Sequence, residues 1–287
     1  MKRQTALKSI VFTDSGLGGL TLMADFIQLA KQQNIAVDTY FFNAQYSRVL
    51  GYKKMETDEQ IRVFDSVLEA IEQRYHPEII AIACNTLSVV YKKTNFYKNS
   101  KTKVLDIIEV GKSLIKKSKT KTIVELAMPT TIRSKIYQNK DKNRIAIATD
   151  EMLPDAIENA NQEKINSILE NVFKEVKNKM NSIEIETSLF LGCTHFPIIK
   201  EQFLKTARSE GVKIDEVLNP NITFAKLVFE KFNKHKKISN QGTITIQVVS
   251  RMPFQKEEIN NIANLIANQS IETAEALHNY TLNKNLF

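Results

Sequence analysis

The sequence predicts an α/β fold built on mainly parallel sheets, and three observations carry that expectation. Short β-rich runs alternate along the chain with helix-length segments, the pattern of βαβ units. The runs EIIAIA (78–83) and SLFLG (188–192) are apolar on both faces, as central strands covered by helices on each side require. A strand, then small polar residues, then a helix recurs around residues 14, 84, 129 and 193. In open α/β sheets such turns gather at the carboxyl ends of strands, where ligands bind.

From the N-terminal end, SIVFT (9–13) is a β-branched and aromatic run that leads through the glycines of TDSGLGGLT (13–21) into a helix over 20–33. DTYFF (38–42) is the next strand, followed by a helix over 57–75 and the strand EIIAIA. KVLDII (103–108), TIVELA (122–127) and RIAIAT (144–149) are further β-branched runs, and 162–179 reads as a helix. TSLFLG (187–192), IDEVL (214–218), a helix over 222–234, TITIQVV (243–249) and a helix over 255–268 complete the series. No Pro/Gly/Ser-rich linker divides the chain, and no short-period repeat is present.

The 287 residues are enough for one large domain or two ordinary ones, and 43% hydrophobic with 25% charged residues is a soluble globular composition. No apolar run approaches the roughly 20 residues of a bilayer span. The start, MKRQTALKSIVF, has basic residues but no apolar core or cleavage site of a signal peptide. Two cysteines cannot form a disulfide framework, so the expected compartment is the cytosol with both thiols reduced. The formal net charge of +8 allows an anionic partner, but the basic residues fall in short groups such as KKSKTK (116–121) and KFNKHKK (231–237). No aromatic residues interleave with them, so nucleic acid is not the expected partner.

The four turns are where chemistry is expected. Asp14 and Ser15 stand where the first strand ends, and the glycine loop behind them suits either a tight turn or an anion at a helix start. It lacks the third glycine of a dinucleotide fingerprint, because position 21 is Thr. Cys84 follows the strand EIIAIA, with Asn85 and Thr86 opening a helix whose N-terminus favours a thiolate. Asn and Thr are also ordinary caps, and a lone cysteine after an apolar strand is often only packing. Cys193 ends the strand SLFLG, with Thr194 and His195 next; the histidine could relay a proton for the thiol.

Both cysteines of the chain therefore occupy the same local setting in different halves of the sequence. Two thiols on opposite walls of one cleft suit inversion of a carbon stereocentre, one removing a proton and the other returning one to the opposite face. A zinc site is the competing reading, but two cysteines and His195 fall short of a structural set and neither cysteine has a C-x-x-C partner. His76, His235 and His278 read as structural.

The ordered series VFTDSGLGGLT (11–21), ACNTLS (83–88), MPTTIRSKIY (128–137) and LGCTHFPII (191–199) resembles the aspartate/glutamate racemase superfamily, and most the glutamate racemases of bacterial cell-wall synthesis. The resemblance implies two similar α/β domains with mainly parallel sheets, facing each other across an active-site cleft. Residues 1–98 and 210–287 would form the first, carrying Cys84, and 99–209 the second, carrying Cys193. It implies that Cys84 is the base for the D-enantiomer and Cys193 for the L-enantiomer, assisted by Asp14 and His195 respectively. Ser15, Asn85, Thr86, Thr131 and Thr194 would hold the ammonium and carboxylate groups. No cofactor and no metal are expected; a homodimer is compatible with the resemblance.

Two sulfurs that each approach one α-carbon within about 3–3.5 Å from opposite sides lie roughly 6–7 Å apart, so they form no disulfide. The sequence also departs from the family. The Arg-Val-Pro-Tyr-Gly segment around the distal carboxylate reads Arg48-Val49-Leu50-Gly51-Tyr52, Thr130 replaces a glycine, TDEMLPDAIE (149–158) replaces a stretch running to Leu-Val-Glu, and Asn219-Pro220-Asn221 replaces Asp-Ser-Gly. The chemistry-bearing motifs survive while part of the substrate shell does not. That leaves aspartate or another amino acid as an alternative substrate, and a regulatory DNA- or gyrase-binding protein on the same scaffold as an alternative of another class.

Overall fold

A computed structural model describes residues 7–48, 51–180, 186–234 and 242–287. Val49, Leu50, His235 and the stretch MKRQTA lie outside the described residues. The chain begins with β1 (Ser9–Asp14), α1 (Leu20–Gln32), β2 (Val37–Asn43), α2 (Thr57–Tyr75) and β3 (Ile79–Ile82). It continues through α3 (Asn85–Tyr91), α4 (Asn95–Asn99), β4 (Lys103–Asp106) and α5 (Ile108–Lys117). Then come β5 (Thr122–Ala127), α6 (Pro129–Ser134), β6 (Asn143–Ala148), α7 (Leu153–Glu158), α8 (Gln162–Lys179), β7 (Thr187–Gly192), α9 (Lys200–Ser209) and β8 (Glu216–Leu218). The last part is α10 (Pro220–Asn233), β9 (Ile244–Ser250), α11 (Lys256–Ala267), α12 (Ile271–His278) and the short β10 (Thr281–Leu282).

The strands form two parallel sheets, a six-stranded one in the order β10-β9-β2-β1-β3-β4 and a four-stranded one in the order β6-β5-β7-β8. The α/β class and the parallel sheets are as the sequence predicts. Sheet membership changes later than the expected boundaries at 98 and 209. β4 pairs with β3 in the first sheet, and β8 pairs with β7 in the second. Each of these strands carries its sheet one strand further before the chain leaves it. The expected strand 103–108 stops at Asp106, because Asp106 accepts the amide of Ile108 and turns the chain into α5.

Each sheet is covered on both faces. Ile10 and Phe12 of β1 pack with Phe26 of α1 and Phe224 of α10 on one side of the first sheet, while Val11 packs towards Phe64 and Leu68 of α2 on the other. This is the alternation that a two-sided parallel sheet demands. Val124 and Leu126 of β5 meet Leu169 and Phe173 of α8, and the opposite face meets Ile108 and Ile115 of α5.

In the first sheet β1 connects outward to β2 and then to β3 on its other side; in the second, β5 connects to β6 and then to β7 on its other side. Both sheets therefore have a topological switch point, between β1 and β3 and between β5 and β7, and crevices open at such points. The four turns singled out in the sequence lie at these strand ends. No described helix is long and apolar enough to cross a membrane.

Candidate active site

The turns after β1, β3, β5 and β7 enclose one cavity of about 320 Å³. Asp14, Ser15, Cys84, Asn85, Thr86, Cys193, Thr194 and His195 all line it. Thr131 is fully buried behind them with its hydroxyl 3.5 Å from that of Thr86, and Thr130 takes the lining position. Both thiols are free and buried.

On the first wall, Cys84 is the cap of α3, its sulfur accepting the amide of Leu87 at 3.5 Å. The Ser15 hydroxyl lies 3.3 Å from the same sulfur. Burial, reinforced by the charge of Asp14, raises the Cys84 thiol far above its ordinary range, against the Ser15 and Leu87 hydrogen bonds. Burial likewise raises the Asp14 carboxyl, opposed by the charge of His195 and by the hydroxyl of Thr194, which donates to Asp14 Oδ2 at 2.9 Å.

On the second wall, His195 stands 3.7 Å through Nδ1 from the sulfur of Cys193 and 2.7 Å through Nε2 from Glu158 Oε1. Burial opposes a charge on this ring, but the hydrogen bonds and charges of Cys193 and Glu158 outweigh it and hold His195 well above its ordinary range. The amide of Gly18 also approaches Nε2, at 3.1 Å. One ring nitrogen cannot donate to Glu158 and accept from Gly18, and the shorter contact with a carboxylate takes the proton.

Gly18 permits this proximity, because a Cβ there would lie 2.5 Å from Thr194 Oγ1 and 2.7 Å from His195 Nδ1. The glycine loop does bind an anion, and that anion is Glu158 itself, whose Oε1 accepts the Leu17 amide at 2.7 Å.

In sequence Glu158 stands only at the end of a stretch that departs from the family's Leu-Val-Glu, without an assigned role; the fold brings it to His195. Asn221 was noted only as a departure from the family pattern, yet its Nδ2 donates to the Thr194 carbonyl at 3.0 Å and so supports the turn carrying Cys193. Arg48, at the start of the altered segment, pairs in two-pronged fashion with Glu258 at 2.8 and 2.6 Å and donates to the Pro253 carbonyl at 2.9 Å. His76 caps α2 in the left-handed region and His278 ends α12, both in structural positions. Among the described residues no group of three His, Cys, Asp or Glu side chains is placed to hold a metal ion.

One cysteine on each wall of a cleft between two parallel sheets, each thiol beside its own proton-handling groups, defines the class: an α/β amino-acid racemase. Glutamate racemase 3 of Caldanaerobacter subterraneus subsp. tengcongensis is 30% identical over 241 residues, 82% of this chain and 82% of that protein. The glutamate racemase of Clostridium botulinum is 28% identical over 256 residues, 83% of this chain and 90% of that one. Among solved structures, the Francisella tularensis glutamate racemase in complex with D-glutamate shares the fold with a TM-score of 0.71 at 20% identity, covering 90% of this chain and 93% of that one. The Aquifex pyrophilus glutamate racemase gives a TM-score of 0.63 at 25% identity, covering 91% and 94%. No family model matches the chain. The chain belongs to the glutamate racemase family.

Proposed function

We propose that this enzyme interconverts L- and D-glutamate by proton transfer between two cysteines and the α-carbon, without a cofactor, and supplies D-glutamate for peptidoglycan from the cytoplasm. The observation that carries the reading is the pair of free, buried thiols lining one cavity, each next to separate proton-handling side chains.

In the L-to-D direction Cys193, as thiolate, takes the α-proton from one face. The electron pair of the broken C–H bond moves into the α-carboxylate, and the thiol of Cys84 gives its proton to the opposite face. The burial that keeps Cys84 protonated suits it to that step. The reverse direction exchanges the two roles. Asp14 then reprotonates Cys84, and the His195–Glu158 pair as a unit takes the proton from Cys193, so the starting protonation returns. Asn85, Thr86, Ser15 and Thr194 hold the amino acid's charged groups, and Thr131 supports Thr86 from behind. The charge that builds on the carboxylate makes its hydrogen bonds stronger in the transition state than in the ground state, which lowers the barrier rather than merely tightening binding.

The test follows the α-proton of L-glutamate by NMR in heavy water, with wild type, Cys84→Ser and Cys193→Ser and with L-aspartate in parallel. Deuterium entering as D-glutamate forms, and lost in both variants, is the expected result. Exchange on aspartate alone would move the substrate and keep the chemistry. Absence of exchange on both would overturn the proposal.

A further inference from the structure

Tyr137 closes the motif MPTTIRSKIY but takes no part in the proton transfers above. Its side chain is 2% exposed, and its ring lies 4.6 Å from that of Phe190. On another side the ring rests over Gly111 of α5, where a Cβ would come within 2.5 Å of ring carbon Cε1. A ring clamped in this way has one place for its hydroxyl, and the hydroxyl donates to Oδ1 of Asn85. The bond crosses the cleft. Tyr137 follows α6 beside the second sheet, whereas Asn85 opens α3 beside the first. Burial keeps the phenol protonated by raising it well above its ordinary range, so it remains a donor.

Asn85 is itself 2% exposed and lines the cavity. Its other end is unsatisfied: Nδ2 is buried and finds no hydrogen-bond partner among the described residues. A buried orphan donor is costly and is kept where a ligand completes it. A free amide could turn over and offer its oxygen to an anion, which would repel it. A turned amide would set Nδ2 against the phenol oxygen and leave the buried phenolic proton without an acceptor among the described residues.

We infer that Tyr137 is a positioning residue, which by occupying Oδ1 of Asn85 fixes the amide with Nδ2 as a donor for the α-carboxylate of the amino acid. The inference rests on the proposed amino-acid substrate and adds the group that sets the orientation of its carboxylate contact.

Tyr137→Phe keeps the ring and removes only the hydroxyl. KM for both enantiomers is expected to rise about tenfold, the value of one charge-assisted hydrogen bond, and kcat to fall as well, because the carboxylate contact strengthens in the transition state. D-glutamate binding measured by calorimetry is expected to weaken by the same factor, and Tyr137→Phe should add nothing in an Asn85→Ala background. Asn85→Asp keeps the acceptor for Tyr137 but lacks Nδ2, and is expected to bind D-glutamate as poorly as Asn85→Ala.

An unchanged KM and binding constant in Tyr137→Phe, additive losses in the double variant, or wild-type binding by Asn85→Asp would each overturn the inference. Wild-type protein that binds D-glutamate but does not racemise it would overturn the proposed function alone. Wild-type protein that binds none would overturn both.

Discussion

On the first wall of the cleft Cys84 has a serine hydroxyl, a helix amide and a buried carboxyl for neighbours; on the second, Cys193 faces an imidazole backed by a carboxylate. A helix start alone would favour a thiolate at Cys84, but burial and Asp14 outweigh the dipole and keep the proton on sulfur. Beside Cys193 stands a histidine whose charge survives burial because Glu158 and the thiol both face it. The same side chain, at the same point of two similar strand-turn-helix units, is thus given different surroundings. In the proposed reaction one sulfur gives a proton while the other takes one, and each wall surrounds its sulfur with a different set of neighbours.

The largest expected effect is on either thiol. Cys84→Ser and Cys193→Ser should each lower kcat for racemisation by about 10³-fold or more, because a hydroxyl at these positions is a far poorer base. A variant that kept wild-type racemisation would break the comparison, since one wall would then suffice.

Glu158→Gln should lower kcat/KM about 10²-fold, in the range of an acid–base contribution. It also removes two of the influences that hold His195 up, so the alkaline limb of the pH–rate profile should move to lower pH. A limb that stays in place would mean that Glu158 does not govern the charge on the second wall. Stability carries the same sign. The native pKa of His195 lies above the unfolded one, so its contribution is fully present below about pH 6.5 and fades as pH rises through the native value. The difference in Tm between wild type and Glu158→Gln should therefore shrink as pH is raised above neutrality.

Gly18→Ala forces Thr194 and His195 away from the loop and should cost about 1–3 kcal/mol of stability, with activity reduced about tenfold. The smallest effect is expected from Ser15→Ala, about threefold in kcat, because the lost contact to Cys84 is a weak hydrogen bond to sulfur and burial still holds the thiol protonated.

The strands, the turns and both cysteines were legible because each leaves a local mark: a β-branched apolar run, then small polar residues, then a helix. Sheet membership was not. Nothing in KVLD or EVL says that β4 stays with the first sheet and β8 with the second, as strand pairing is decided by neighbours far along the chain. Glu158, Asn221 and Tyr137 were hidden for the same reason. Each falls in a stretch marked by its likeness to or departure from the family, but its partner is set only when the two sheets meet. The altered segment from Arg48 to Tyr52 shows the converse. Its departure from the family pattern was plain in sequence, but the engagement of Arg48 by Glu258 of α11 was not.

The pairing of β2 with β9 bears on how the protein is made. Val37 lies beside Ile244 and Asn43 beside Ser250, so an interior strand of the first sheet is supplied from near the far end of the chain. Until that segment leaves the ribosome, β2 presents an unpaired edge, although every residue of the turns after β1, β3, β5 and β7 has already been synthesised. Contacts so distant in sequence slow folding and leave such edges open to wrong partners. The second sheet, whose strands all lie between Thr122 and Leu218, has no such wait. Newborn chains should therefore pass through a stage in which the Cys193 half is structured while the Cys84 half is still incomplete.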